Sequence, residues 1–342
     1  MTKAYKTRGI NGMNRKDDNS KEAKLQRKAA RKQKRNEMNE AVNTHLKSDK
    51  KVYLVYIILR ALIVICMVRQ FLRGSYENVA LCVLSLILLI MPSIMQVRLK
   101  VDLPRTLEII LLFFIYSAEI LGEVNNYYTA VPMWDTVLHT LNGFLAAAIG
   151  FSMVMILNRS NKVIFELSPL YICIVAFCFS MTIGAVWEVF EFSMDWFFGL
   201  DMQKDTIVHS ISSVAINPTG AQVPVRINGI TSTMVNGQDL GINGYLDIGI
   251  IDTMKDLIVN LIGAVVFSVI GYLALKGGER EVRVIEKFIV RPVGVKKSLK
   301  DGIAEKQAAD QAGDAAADQA WDHEAKQQGT LSPGSSEVEK KE

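Results

Sequence analysis

Long apolar blocks constrain this chain more than any other feature. The run VYLVYIILRALIVICMV, and LAAAIGFSMVMIL together with the residues leading into it, approach the ~18–20 residues that cross a ~30 Å hydrocarbon layer as a helix. Bare length would suggest a two-domain soluble protein. Half of the residues are hydrophobic, however, and they are bunched rather than spread at the period of an amphipathic surface helix. The sequence therefore predicts an all-α, polytopic membrane bundle of about six transmembrane helices. Their approximate positions are 52–70, 78–96, 105–122, 135–157, 169–191 and 252–275. The third is marginal, because Glu108 and Glu119 interrupt it.

Charge divides the chain into three parts. Residues 1–51 carry 16 Lys and Arg against 6 acids, an excess hidden in a net charge of only +4. This reads as a basic cytosolic tail, expected to touch anionic lipid headgroups at about 1 kcal/mol per basic residue. In its most basic stretch, KEAKLQRKAARKQKRNEMNEA, no aromatic residues are interleaved to stack on bases, so no nucleic-acid partner is expected. Residues 52–275 form the membrane domain. Residues 276–342 read as a cytosolic, largely disordered tail, whose far end is Ala-, Asp-, Gln- and Lys-rich with little to bury.

Loop charges set the expected topology. Arg98, Lys100 and Arg105, then Arg159 and Lys162, then the basic stretch after the last span fall on one side, while loop 192–251 holds only Lys204 and Arg226. The positive-inside rule places both termini in the cytoplasm of a multi-pass plasma-membrane protein, with Arg69 and Arg73 as the one dissent. Within loop 192–251, VPVRINGITSTMVNGQ alternates like strand and is broken by Asn-Gly, a hairpin signal. A small β-hairpin cap over the extracytoplasmic face is expected. The sequon at Asn158 would lie on the cytosolic side and is read as accidental. Cys66, Cys82, Cys173 and Cys178 all fall in apolar runs and read as packing residues, with no disulfide framework.

Polar residues interrupt the apolar runs at one depth. Asp135 and His139 are four apart and share a helix face, with Asn142 about a turn deeper. Glu188, Glu191 and Asp195 are spaced three and four apart near the end of the fifth span. Asp252 and Asp256 are four apart at the start of the sixth, with Asn260 a turn deeper, and Glu119 falls in the same layer. Ionisable groups in a membrane cost roughly 2.5–3.5 kcal/mol at mid-helix and almost always face the bundle interior. Seven carboxylates and one histidine cannot neutralise each other, so either some are protonated or a cation sits among them. A divalent metal ion held by Asp135, His139, Glu188, Glu191, Asp252 and Asp256 would resolve the excess. Capping alone is the competing explanation for Asp135 and Asp252 at helix starts. Glu188 and Glu191 stand near a helix C-terminus, where a cap role fails.

The ordered set D-T-x-x-H (Asp135, Thr136, His139), W-E-x-x-E (Trp187, Glu188, Glu191) and D-T-x-x-D-x-x-x-N-x-x-G (Asp252, Thr253, Asp256, Asn260, Gly263) resembles the YjdF-type bacterial inner-membrane proteins. More distantly it is similar to VanZ-like proteins, which more often carry Gln where Glu191 stands. The resemblance covers about residues 52–275 and implies a polytopic membrane protein without supplying a mechanism.

Three functions are compatible with these residues. One is a metal-dependent hydrolase or transferase acting on a lipid headgroup or envelope precursor, with His139, Glu188 and Asp256 as its catalytic groups. Another is a cation carrier, which requires a polar path to the cytoplasm. Arg60 and Glu108 are the main candidates for such a path. The third is a non-catalytic structural or accessory protein with a clasp near its outer face.

Overall fold

The computed structural model describes residues 30–158 and 167–294, with Lys28, Leu299 and a few single positions up to 312. The N-terminal part of the basic tail, the loop with Arg159 and Lys162, and most of the C-terminal tail lie outside the described residues. Helix α1 covers residues 30–48. It is followed by α2 (Lys50–Leu72), α3 (Tyr76–Leu88), α4 (Met91–Leu99), α5 (Arg105–Ile115), a π-helix (Tyr116–Val124) and α6 (Tyr127–Ala130). The long helices α7 (Trp134–Asn158), α8 (Pro169–Phe198) and α9 (Ile250–Leu275) come next, and then α10 (Glu279–Ile285).

Among the described residues, five helical segments are long and apolar enough to cross a membrane: Lys50–Leu72, Tyr76–Leu99, Trp134–Asn158, Pro169–Phe198 and Ile250–Leu275. The second is broken between α3 and α4. Pro92 cannot donate a backbone bond, and its ring opposes the carbonyl four residues back, at Leu88, where α3 ends. The marginal third span is a helix of 11 residues running directly into a π-helix of 9. Its charges at Arg105, Glu108, Glu119 and Glu123 keep it out of the five.

Two apolar cores form. One gathers around α2, α3 and the α5–π segment and takes in Val42 and Leu46 of α1. The end of the basic tail is thus packed rather than a free arm. The other core joins α7, α8, α9 and α10. Glycines set the spacing in this second group. A Cβ on Gly143 of α7 would collide with the backbone carbonyl of Asn260 on α9, and one on Gly263 of α9 would collide with the Thr140 carbonyl on α7. A Cβ on Gly184 of α8 would meet the Asn260 amide at 2.7 Å. Small residues thus let backbones approach where lipid offers no hydrophobic drive for helix association. Asn260, 1 % exposed, accepts from Asn142 Nδ2 at 3.1 Å. The Ser180 hydroxyl donates to the Gly143 carbonyl at 2.7 Å.

Below this polar belt the core is aromatic. Phe144 meets Phe267 and Phe288 edge-on, each with ring centroids 5.0 Å apart, and Phe151 meets Phe267 at 5.8 Å. Phe288 comes from the segment the sequence reading gave to the loose tail. Residues 279–294 fold back instead, because Val282, Ile285, Phe288 and Ile289 form an apolar stripe. Val290 N–H donates to Ser152 at 2.9 Å, and Arg291–Pro292 pair antiparallel with Val101–Asp102.

The cap in the long loop is more elaborate than one hairpin. Strands Ile207–Val208 and Tyr245–Leu246 pair, as do Ser210–Ser213 and Val225–Asn228, and Met234–Val235 and Gln238–Asp239. Only the second Asn-Gly makes the expected two-residue turn: Asn236 and Gly237 have φ of 52° and 81°, as a hairpin turn of this twist requires. All four cysteines are free thiols.

Candidate functional site

The site lies at the Asp135 end of the α7–α8–α9 group. His139 sits one turn into α7, with 12 % side-chain exposure. Its Nε2 is 3.4 Å from Asp135 Oδ1 and 3.6 Å from Asp256 Oδ2, while Nδ1 is 3.8 Å from Glu188 Oε1. Three helices thus deliver three carboxylates to the two nitrogens of one imidazole. The i, i+4 spacing on α7 brings Asp135 above the ring. Asp256 and Glu188 arrive because the Gly143–Asn260 and Gly184–Asn260 approaches lock α9 and α8 against α7 one turn deeper.

These separations are long for hydrogen bonds, which for N–H···O cluster between 2.7 and 3.2 Å. They suit ligands around a shared ion: bonds of about 2.1 Å in tetrahedral geometry leave about 3.4 Å between neighbouring donor atoms. Asp135, His139 and Asp256 each offer one donor atom, and these atoms lie within 4.8 Å of one another. Glu188, 5 % exposed, faces the other ring nitrogen. It does so from 3.8 Å, outside hydrogen-bond distance. Its remaining oxygen, Oε2, is buried without a hydrogen-bond partner.

The other two carboxylates expected in the ring have different partners. Glu191 Oε1 accepts from the Trp187 indole at 2.9 Å, across one turn of α8. Asp252 Oδ2 accepts the Lys204 backbone N–H at 2.8 Å. Asp195 similarly accepts from the backbone N–H groups of Met202 and Gln203 at 2.6 and 2.8 Å, and Gln203 donates to Thr253. Asp247, which the sequence did not single out, accepts from Thr206 N at 2.6 Å and Ile251 N at 2.7 Å. Together these aspartates strap residues 202–206 across the ends of α8 and α9. Neither Asp135 nor Asp252 shows the simple cap: Asp135 meets His139, and Asp252 holds the strap instead of its own helix. A Gly-Ile-Ile-Asp helix entrance carries no signal for such a contact, since its partner is 48 residues away.

A second wall comes from the other helical group. Glu123 of the π-helix lies within electrostatic reach of Asp135 and Lys204, and Glu119 within reach of Glu123. The Tyr127 ring meets Trp134 edge-on at 5.1 Å, fastening α6 to the start of α7. The candidates for an inward path are elsewhere. Arg60 donates to the Tyr56 hydroxyl at 2.6 Å, and Glu108 is held by Gln96 Nε2 at 3.0 Å, both in the first helical group.

Among the described residues, five membrane-length helices, an aromatic core and a one-ended carboxylate–imidazole cluster define a polytopic helical membrane protein. The profile of a family described as a predicted membrane protein (DUF2238) matches residues 53–277, more than half of the 342, and the chain belongs to that family. The match spans all three polar motifs and is consistent with the YjdF-type resemblance. Neither a curated protein nor a solved structure matches the chain.

Proposed function

We propose that this is a multi-pass plasma-membrane protein with both termini in the cytoplasm, which binds a divalent metal ion near the outer face and uses it in a hydrolase or transferase reaction on a lipid or envelope precursor. Asp135, His139 and Asp256 are its ligands. Glu188 faces the imidazole Nδ1 from 3.8 Å and, with its free oxygen, stands ready as a base. A bound cation supplies a water made acidic enough to lose a proton near neutral pH. The observation that carries this reading is His139, facing two aspartates through Nε2 and a buried, half-partnered glutamate through Nδ1.

The aromatic layer of Phe144, Phe151, Phe267 and Phe288 beneath the site favours one-sided chemistry over a carrier. A purely structural clasp would leave no reason for an unpartnered Glu188 oxygen inside it. The basic tail fits anionic lipid on the cytoplasmic side.

Elemental analysis of purified protein tests the reading. Wild type is expected to hold about one equivalent of metal, and His139→Ala with Glu188→Ala a negligible amount. Equal, negligible metal in both refutes it.

A further inference from the structure

Arg60 puts a fixed charge near the middle of a membrane-length helix. It lies in α2, between Lys50 and Leu72, and its side chain is exposed. An arginine at such a depth normally faces the bundle interior and pairs with an acid. The fold gives it neither. Among the described residues no carboxylate forms an ion pair with it. Its Nη1 donates to the Tyr56 hydroxyl at 2.6 Å, and the guanidinium carbon stands 5.8 Å from the centre of that ring. A guanidinium offers five N–H donors in a planar fork, so most of the fork is left without an acceptor.

Register says where the missing anion lies. Tyr56 is one turn nearer the Lys50 end, so the guanidinium is held back toward that end, the direction in which a long basic side chain snorkels. Tyr53 and Arg73 are 20 residues apart on α2 and its C-cap, about 30 Å at 1.5 Å per residue, which is the thickness of the hydrocarbon layer. Tyr53 and Tyr56 then stand at the interface, where membrane tyrosines collect. Tyr53 is seven residues before Arg60 and shares its helix face, and its hydroxyl makes no hydrogen bond among the described residues. Exposed Lys50 continues the row one turn further. A carboxylate on a partner's transmembrane helix would answer Arg60 alone. A phospholipid answers all three: two phosphate oxygens match the fork, and the headgroup reaches Tyr53 and Lys50.

We infer that Arg60, Tyr53 and Lys50 form a binding site for one anionic phospholipid in the leaflet at the Lys50 end of α2, its phosphate held by the Arg60 fork. The site is separate from the His139 cluster and does not depend on the metal reading.

Native mass spectrometry of the full chain, released from detergent after addition of phosphatidylglycerol, phosphatidylcholine or inorganic phosphate, tests this. Wild type is expected to retain one phosphatidylglycerol at least about tenfold more tightly than phosphatidylcholine, and excess inorganic phosphate should not displace it. Arg60→Gln should lose about tenfold in phosphatidylglycerol affinity, the worth of one charge-assisted hydrogen bond. Arg60→Lys keeps the charge but not the fork and should lose about threefold, as should Tyr53→Phe. Arg98→Gln, which removes another exposed cation at the end of α4, should match wild type. Arg60 is exposed, so both variants at this position should fold, with metal content as in wild type. Arg60→Gln within about twofold of wild type, an equal loss in Arg98→Gln, phosphatidylcholine held as tightly, or displacement by free phosphate each overturns the inference. So does a protein subunit that stays with wild type and is lost from Arg60→Gln, since the fork would then be taken by a partner's acid.

Discussion

Replacing Gly143 by alanine should damage the site from a full turn away. The added methyl would fall against the Asn260 carbonyl, far inside the 3.0 Å that real Cβ contacts respect. That atom is main chain, so it cannot swing aside. Helix α9 must retreat from α7 by about 1 Å, and the reciprocal contact at Gly263 with the Thr140 carbonyl opens with it. Overpacking of this kind costs about 1–3 kcal/mol. Asp256 rides on α9 one turn from Asn260, so its 3.6 Å approach to His139 lengthens as well. A displacement of about 1 Å in a preorganised site can cost up to about a hundredfold. The expected result for Gly143→Ala is an apparent melting temperature in detergent lowered by several degrees, together with metal affinity reduced at least about tenfold. Cys178→Ser, on the exposed side of α8, is the control expected to change neither. Gly143→Ala with unaltered melting and unaltered metal affinity would refute the claim that the glycine contacts aim the acids at the histidine.

Other outcomes separate the remaining roles. Asp252→Asn should leave metal content unchanged but weaken its hold on Lys204 N–H, seen as faster protease cleavage between residues 201 and 206. Asn260→Leu strands the Asn142 amide and should destabilise by about 1–3 kcal/mol, measured as a lower denaturant midpoint. Asp49 caps α2 through Lys51 N at 2.9 Å and meets Arg105 Nε at 2.5 Å. The hydrogen bond from Arg105 is the main reason its carboxyl sits below the ordinary carboxylate range. A depressed folded value means stability that is present above the unfolded pKa of about 4 and is lost as pH falls through the lower folded value. Hydrogen exchange at Lys51 and Val52 should therefore speed up only below about pH 4, and Arg105→Ala should move that onset upward.

Much of this architecture was legible before any coordinates. Apolar runs located the spans because a bilayer demands that backbone polar groups be satisfied within the segment. Pro92 marked a break that run length alone ignored. Asp135, His139, Glu188 and Asp256 were legible because buried charge at helical spacing must find partners, and the structure brings those four together. Glu191 and Asp252 were grouped with them on the same ground, yet their carboxylates turn to Trp187 and to Lys204 N–H. Depth fixes a layer; it does not choose among partners within it. The strap and its Asp247 anchor depend on contacts 41 to 50 residues apart, which no local pattern encodes. The π-helix at Tyr116–Val124 was hidden too, since its composition differs little from an ordinary amphipathic turn. The inward fold of residues 279–294 was masked by the charges flanking its apolar stripe.

X-ray absorption at the metal edge of zinc-loaded, full-length protein puts the central claim to its most direct test. One imidazole and two carboxylate oxygens at about 2.0–2.2 Å are predicted in the first shell, with the imidazole signal lost in His139→Ala. A shell of oxygen alone, the same in wild type and His139→Ala, would contradict it.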